Sequence, residues 1–74
     1  MTNKTTKLIF LGKNIQKARK NMNLSQNEFA ELLDISREHL AKIETAKRTL
    51  SLGLLFKICD VLKISEQDLF DFNH

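Results

Sequence analysis

The stretch LSQNEFAELLDISREHLAKIE, residues 24–44, decides the fold. Its first half opens on Ser25 and carries Glu28 three residues later. In that arrangement a serine side chain takes a free backbone N–H and a glutamate reaches back to the serine's own N–H. Phe29, Ala30 and Leu33 then fall on one side of a helix turning roughly 100° per residue. Asp34-Ile35-Ser36 is too short for anything but a tight turn, and Ser36 is a second capping residue, opening a helix that runs to Glu44 or Thr45. Asp34 stands where such turns often hold glycine; aspartate tolerates the left-handed backbone better than most residues, at some cost.

Two short helices joined across three residues have the spacing of a helix-turn-helix. In the second, SREHLAKIE (residues 36–44), Leu40 and Ile43 face inward with Ser36 beside them. Glu38, Lys42 and Thr45 face the other way, flanked by His39 and the small Ala41, and Arg37 projects from the N-terminal turn. A rod held to its core by two residues leaves its polar side free to enter a groove about 12 Å wide, the width of the DNA major groove.

Working outward, residues 1–7 (MTNKTTK) are polar and are expected to form a flexible arm carrying Lys4 and Lys7. Leu8, Leu11, Ile15, Ala18 and Met22 recur at helical spacing, which predicts a helix from Leu8 or Leu11 to Met22, ended by Asn21 and Asn23. On the C-terminal side Ser51 caps a helix through Leu62, with Leu52, Leu55, Ile58, Cys59 and Leu62 as its core stripe and Leu54 and Val61 well round from it. Ser65 and Asp68 begin a fifth, short helix containing Leu69 and Phe70. With no proline and only two glycines, the expectation is an all-α, compact five-helix domain over residues 8–74. A chain of 74 residues has room for one core, with a stability of about 4–11 kcal/mol.

The single cysteine excludes an internal disulfide framework and points to a reducing compartment. The longest apolar run, LIFL at residues 8–11, is too short for a membrane span or a signal peptide, so a soluble cytoplasmic protein is expected. The net charge of +3 is unevenly placed. Residues 1–22 carry Lys4, Lys7, Lys13, Lys17, Arg19 and Lys20 with no acid, whereas residues 63–74 carry Lys63 and three acids. A basic end suggests a polyanionic partner, against the plainer reading of a solvated face. Cys59 falls on an inner stripe and reads as a small core residue. His39 and His74 have no partner at ligand spacing, so no metal is expected. No nucleophile is paired with a base and there is no phosphate loop, so neither an enzyme, a cofactor nor a small-molecule ligand is expected.

From Leu11 to Phe70, with LSQNEFAELLDISREHLAKIE at the centre and SLGLLFKICDVLKISEQDLF after it, the chain resembles the phage-repressor or Cro-type (XRE) helix-turn-helix regulators. The telling matches are Gln26, Ala30, Ile35-Ser36 and Ile43-Glu44. The resemblance implies a lambda-repressor-like domain that binds double-stranded DNA, is encoded by a bacterium or phage, and controls transcription, as a repressor, from a palindromic operator. Carried over, it makes Arg37, Glu38 and Lys42 the base-reading residues. It sets Gln26, His39, Thr45, Lys47 and Arg48 on the DNA backbone, with Arg19 and Glu44 as an ion pair between the first and third helices. Asp34, and Ala46 where a glycine often follows the third helix, depart from the family pattern and bear on backbone geometry and side-chain reach. The resemblance also suggests a twofold homodimer through Leu54, Val61, Phe70 and Phe72. Antitoxins and restriction-modification controllers share this DNA-binding mode, and a helical protein-interaction module is a third reading.

An acid in a DNA-facing helix needs a reason. Glu38 precedes Lys42 by one turn, the favoured order for pairing in the free protein. In the groove a glutamate accepts from cytosine N4 while arginine or lysine addresses guanine. Glu38 is therefore expected to discriminate among sequences rather than add affinity, the alternative being a plain surface ion pair.

Overall fold

The computed structural model describes residues 4–72; His74 lies outside them. Five helices follow in order: α1 (Lys4–Asn21), α2 (Gln26–Leu33), α3 (Arg37–Glu44), α4 (Leu52–Leu62) and α5 (Glu66–Leu69). The first begins ahead of the Leu8 or Leu11 start expected. Residues 4–7 are therefore its opening turn rather than part of an arm, because neither glycine nor proline interrupts them and elongation adds a hydrogen bond for each residue fixed.

Serine starts every later helix. Ser25, Ser36, Ser51 and Ser65 are extended, and each hydroxyl accepts the N–H of the residue three further on, which satisfies a donor the helix itself leaves unpaired. At Ser25 the box is complete: Glu28 Oε1 accepts the Ser25 N–H at 2.8 Å and Ser25 Oγ accepts the Glu28 N–H at 3.0 Å. The Ser25 backbone bond, then its hydroxyl, hold the Glu28 carboxyl below the usual carboxylate range. A depressed folded value means that this contribution is present above the unfolded carboxylate's titration and is lost as pH falls through the lower folded value.

The ends of the first four helices are equally uniform. Asn23, Asp34, Ala46 and Lys63 all have φ between 56 and 63°, the left-handed region that usually belongs to glycine. The N–H of the next residue then bonds back five positions, from Leu24 to Arg19, Ile35 to Ala30, Lys47 to Lys42 and Ile64 to Cys59. This closure caps the last carbonyls and replaces proline as the separator, at a cost of about 1–2 kcal/mol per non-glycine residue.

The core holds Leu11 and Ile15 of α1, Phe29, Ala30 and Leu33 of α2, Leu40 and Ile43 of α3, Leu55, Ile58, Cys59 and Leu62 of α4, and Leu69 of α5. Full burial of each large side chain contributes about 1.5–3 kcal/mol. Of the residues on the expected stripes, Leu8 and Ala18 are half-buried and two are exposed. Leu52 is 65% exposed, because the first residue of α4 stands beyond the end of the packed stripe, and Met22 is 38% exposed, because α1 has already ended. Cys59 is buried; desolvation and the nearby Glu66 carboxylate push its thiol up, so it keeps its proton and behaves as a small apolar residue.

Gly53 lies in the first turn of α4 without positive φ, and a Cβ built there meets nothing within 4 Å. Gly53→Ala is therefore expected to raise stability by about 0.5–1 kcal/mol, chiefly by restricting the unfolded chain. A higher urea midpoint with an unchanged slope checks it.

Candidate nucleic-acid interface

The turn between α2 and α3 is fixed at both ends. Asp34, at φ 59° and ψ 41°, gives its N–H to the end of α2. Ile35 packs against the core, and Ser36 caps α3 through the His39 N–H at 3.0 Å. Leu40 and Ile43 then anchor α3, leaving its outer side to Arg37, Glu38, Lys42 and Thr45, all exposed, with His39 and Ala41 half-buried at the flanks. Glu38 Oε1 lies 3.9 Å from Lys42 Nζ. At 83% and 49% side-chain exposure this pair is loose and adds little stability; both groups are available to an outside partner.

Of the residues expected at a sugar-phosphate backbone, His39 is half-buried at the flank of α3 and the other four divide into two kinds. Lys47 and Arg48 are exposed on the segment leaving α3. At the other three left-handed helix ends the following residue is apolar and packs on the core, namely Leu24, Ile35 and Ile64. After Ala46 alone among these four ends the same place holds a cation, Lys47, directed to solvent. Gln26 and Thr45 are already engaged. Gln26 is half-buried at the start of α2 and donates from Nε2 to Glu44 Oε1 at 3.0 Å, which leaves its second amide hydrogen and its carbonyl for another partner. Thr45 Oγ1 donates to the Ala41 carbonyl at 2.8 Å, so it meets an external group as an acceptor unless it rotates.

Beneath this face sits a buried polar cluster. Glu44 accepts from Arg19 Nε at 2.8 Å, from Arg19 Nη2 at 3.2 Å and from Gln26 Nε2, while Arg19 Nη1 donates to the Leu24 carbonyl at 2.8 Å. One forked, planar guanidinium thus joins α1, the α1–α2 turn and α3, and Gln26 adds α2. The link from Gln26 to Glu44 was not expected from sequence. Both residues sit at the helix ends farthest from the α2–α3 turn, Gln26 first in α2 and Glu44 last in α3, a tertiary juxtaposition that composition and periodicity do not weigh.

Electrostatically, residues 37–48 expose Arg37, Lys42, Lys47 and Arg48 against Glu38 as the exposed acid, Glu44 being buried and paired. The basic N-terminal segment faces elsewhere in part: Lys17 lines a groove of about 270 Å³ with Asp68 and Asp71 of the acidic C-terminal end. Asn14 closes that side by donating Nδ2 to the Leu69 and Asp71 carbonyls. Among the described residues no three His, Cys, Asp or Glu side chains form a metal-binding group, and no helix is long and apolar enough to cross a membrane.

The apolar patch expected from Leu54, Val61, Phe70 and Phe72 is rearranged. Leu54, Val61 and Phe72 are partly buried against the core, and Phe72 stacks on Phe10 at 5.9 Å between ring centroids, with Phe70 edge-on at 6.1 Å. Phe70 itself remains 45% exposed, alongside Leu52 at 65% and Phe56 at 49%. Leu52 and Phe70 line one apolar groove of about 260 Å³ with Leu8, Leu11, Leu50 and Leu55. On α4 the exposed apolar side chains are thus Leu52 and Phe56, whereas Leu54 and Val61 lie at the core edge.

The arrangement has close relatives. The chain is similar to the restriction-modification controller protein C.AhdI from Aeromonas hydrophila, with 27% identity and a TM-score of 0.79, covering 84% of this chain and 94% of that one. It is also similar to the clp gene regulator ClgR from C. glutamicum, with 26% identity and a TM-score of 0.80, covering 84% and 80%. Antitoxin PezA of Streptococcus pneumoniae is 37% identical over 59 residues, 80% of this chain. The chain spans 37% of that protein's length. The helix-turn-helix family model matches residues 15–69, from the core isoleucine of α1 to the buried leucine of α5, and the chain accordingly belongs to the helix-turn-helix family.

Proposed function

We propose that the protein is a sequence-specific DNA-binding transcriptional regulator that inserts α3 into the major groove and represses by occupying a promoter, in the cytoplasm of its host. The observation that carries this reading is the exposed side of α3, where Arg37, Glu38 and Lys42 stand clear of the fold with Lys47 and Arg48 immediately behind them. Arg37 and Lys42 supply donors for guanine O6 and N7, and Glu38 an acceptor for cytosine N4. Lys47 and Arg48, with Gln26 at the positive end of α2, hold phosphates. A second copy, docked through the exposed apolar side chains around Leu52, Phe56 and Phe70, would set two α3 helices about 34 Å apart on one face of a palindrome.

Selection of bound fragments from a random DNA pool tests this. An inverted repeat with half-sites one helical turn apart supports both base reading and the homodimer. A single half-site removes the dimer, and no enrichment removes sequence reading altogether. A second reading keeps the same DNA chemistry and makes the protein an antitoxin or a restriction-modification controller; the likeness to PezA and to C.AhdI favours it, and the neighbouring genes decide between them.

Glu38→Ala separates discrimination from mere surface pairing. Base discrimination at one position in each half-site is expected to weaken roughly tenfold, the scale of one good base contact, while affinity for other DNA rises because an acid no longer faces phosphate. Titration of a set of operator variants checks this, and equal changes at every base pair would leave Glu38 as a surface ion-pair partner only.

A further inference from the structure

Gly12 lies on α1 where that helix passes the last turn of α3, and it is buried. A Cβ built on it would sit 2.6 Å from the Glu44 carbonyl oxygen, 2.8 Å from the Ile43 carbonyl oxygen and 2.9 Å from the Glu44 carbonyl carbon. All three are backbone atoms, so no change of rotamer relieves the contact. One helix has to move by roughly half an ångström or more before the atoms reach van der Waals distance.

The place of this contact gives it a consequence beyond packing. Gly12 and Arg19 are two helical turns apart and share one face of α1. Arg19 holds the Glu44 side chain, and Gly12 meets the Glu44 backbone. α1 therefore grips the C-terminal end of α3 twice, while the other end of α3 is set by its tight turn to α2. A displacement at the C-terminal end tilts α3 about its first turn. Lys42 and Thr45 swing most and Arg37, near the pivot, least, so the side chains that must meet base edges together fall out of register.

We propose that Gly12 is a positioning residue for base reading: its missing side chain lets α3 seat against α1 and fixes the tilt at which Arg37, Glu38 and Lys42 are presented. This rests on the DNA-reading function proposed above. Contacts to phosphate are made by long, flexible cations and tolerate a small tilt, whereas paired hydrogen bonds to a base edge do not.

The test compares wild type with Gly12→Ala, and with Gly12→Ala combined with Gly53→Ala, whose open surroundings make it a stabilising background. Each binds two duplexes, one carrying the sequence that wild type selects from a random pool and one with the same bases scrambled. Folding is checked by circular dichroism, with trimethylamine N-oxide added to favour the compact state where it is incomplete. Affinity for the selected duplex is expected to fall about tenfold or more and affinity for the scrambled duplex less than about threefold. Amide chemical-shift changes should concentrate in residues 40–48. A specific-to-scrambled ratio equal to that of wild type in the folded variant overturns the proposal, however much stability is lost. Wild type that selects no sequence overturns the DNA-reading function instead, and leaves that result distinguishable from the first.

Discussion

Glu44→Ala is expected to remove about 3–5 kcal/mol of folding stability, the usual result of taking one partner from a buried ion pair. Against a total of about 4–11 kcal/mol for a chain of this size, that unfolds much of the population near physiological temperature. The reason lies in what remains. Arg19 has 7% side-chain exposure and Glu44 1%, so neither group, once orphaned, recovers its hydration. The guanidinium would keep its bond to the Leu24 carbonyl and lose both bonds to carboxylate. Arg19→Lys should fall between, because an ammonium cannot reproduce the fork that meets Glu44 Oε1, Glu44 Oε2 and the Leu24 carbonyl together. The informative control is the double replacement Arg19→Met with Glu44→Leu. It leaves no buried charge and should recover most of the lost stability. It also deprives Gln26 of its acceptor, so its DNA affinity should stay a few-fold below wild type even where folding is restored, the scale of one ordinary hydrogen bond. Urea denaturation of the four proteins checks the ranking. A loss below about 1 kcal/mol for Glu44→Ala would mean that the pair behaves as an exposed one.

This cluster also marks how far the sequence is legible. Local signals are readable because cause and effect lie within one turn: each of Ser25, Ser36, Ser51 and Ser65 bonds the residue three ahead, and the inward stripes of α2 and α3 follow from period alone. Helix ends are half legible. The same five-back bond follows all four left-handed ends, yet only Asn23 and Asp34 belong to residue types that visit this region readily, so Ala46 and Lys63 carry no local signal. Tertiary relations are where local reasoning stops. The Arg19–Glu44 pair, 25 residues apart, was reached through family resemblance and not through spacing. Gly12 looks like an unremarkable helical glycine until the end of α3 is set against it. Burial along α4 was illegible for the same reason: a helical wheel gives the angle of Leu52 and Leu54 around α4 but not how far along α4 the other helices extend. Which side of α3 faces out is written in its periodicity, and how firmly it is held is not.

Lys47→Ala with Arg48→Ala should produce the largest change in binding, and of a different kind from Gly12→Ala or Glu38→Ala. Both side chains are exposed, so folding should stay within about 0.5 kcal/mol of wild type. In the twofold complex proposed above they would place four cations on phosphates. At a log-log slope near −0.9 for each phosphate neutralised, the four contribute about −3.6 to the dependence of affinity on salt, so a fourfold rise in monovalent salt costs this group alone about a hundredfold. The double variant should therefore bind weakly at low salt, show a slope flatter by about that amount, and lose the selected and scrambled duplexes alike, since phosphate contacts position the protein without reading sequence. A flattening of only half as much would mean that a single copy binds, so the same titration reports stoichiometry. Lys47 stands where the three other left-handed helix ends carry an apolar residue packed on the core, and its exposed cation is available to an outside partner. An unchanged slope would show that this segment does not meet phosphate, and a collapse of the selected-to-scrambled ratio would move Lys47 and Arg48 from the backbone to the bases.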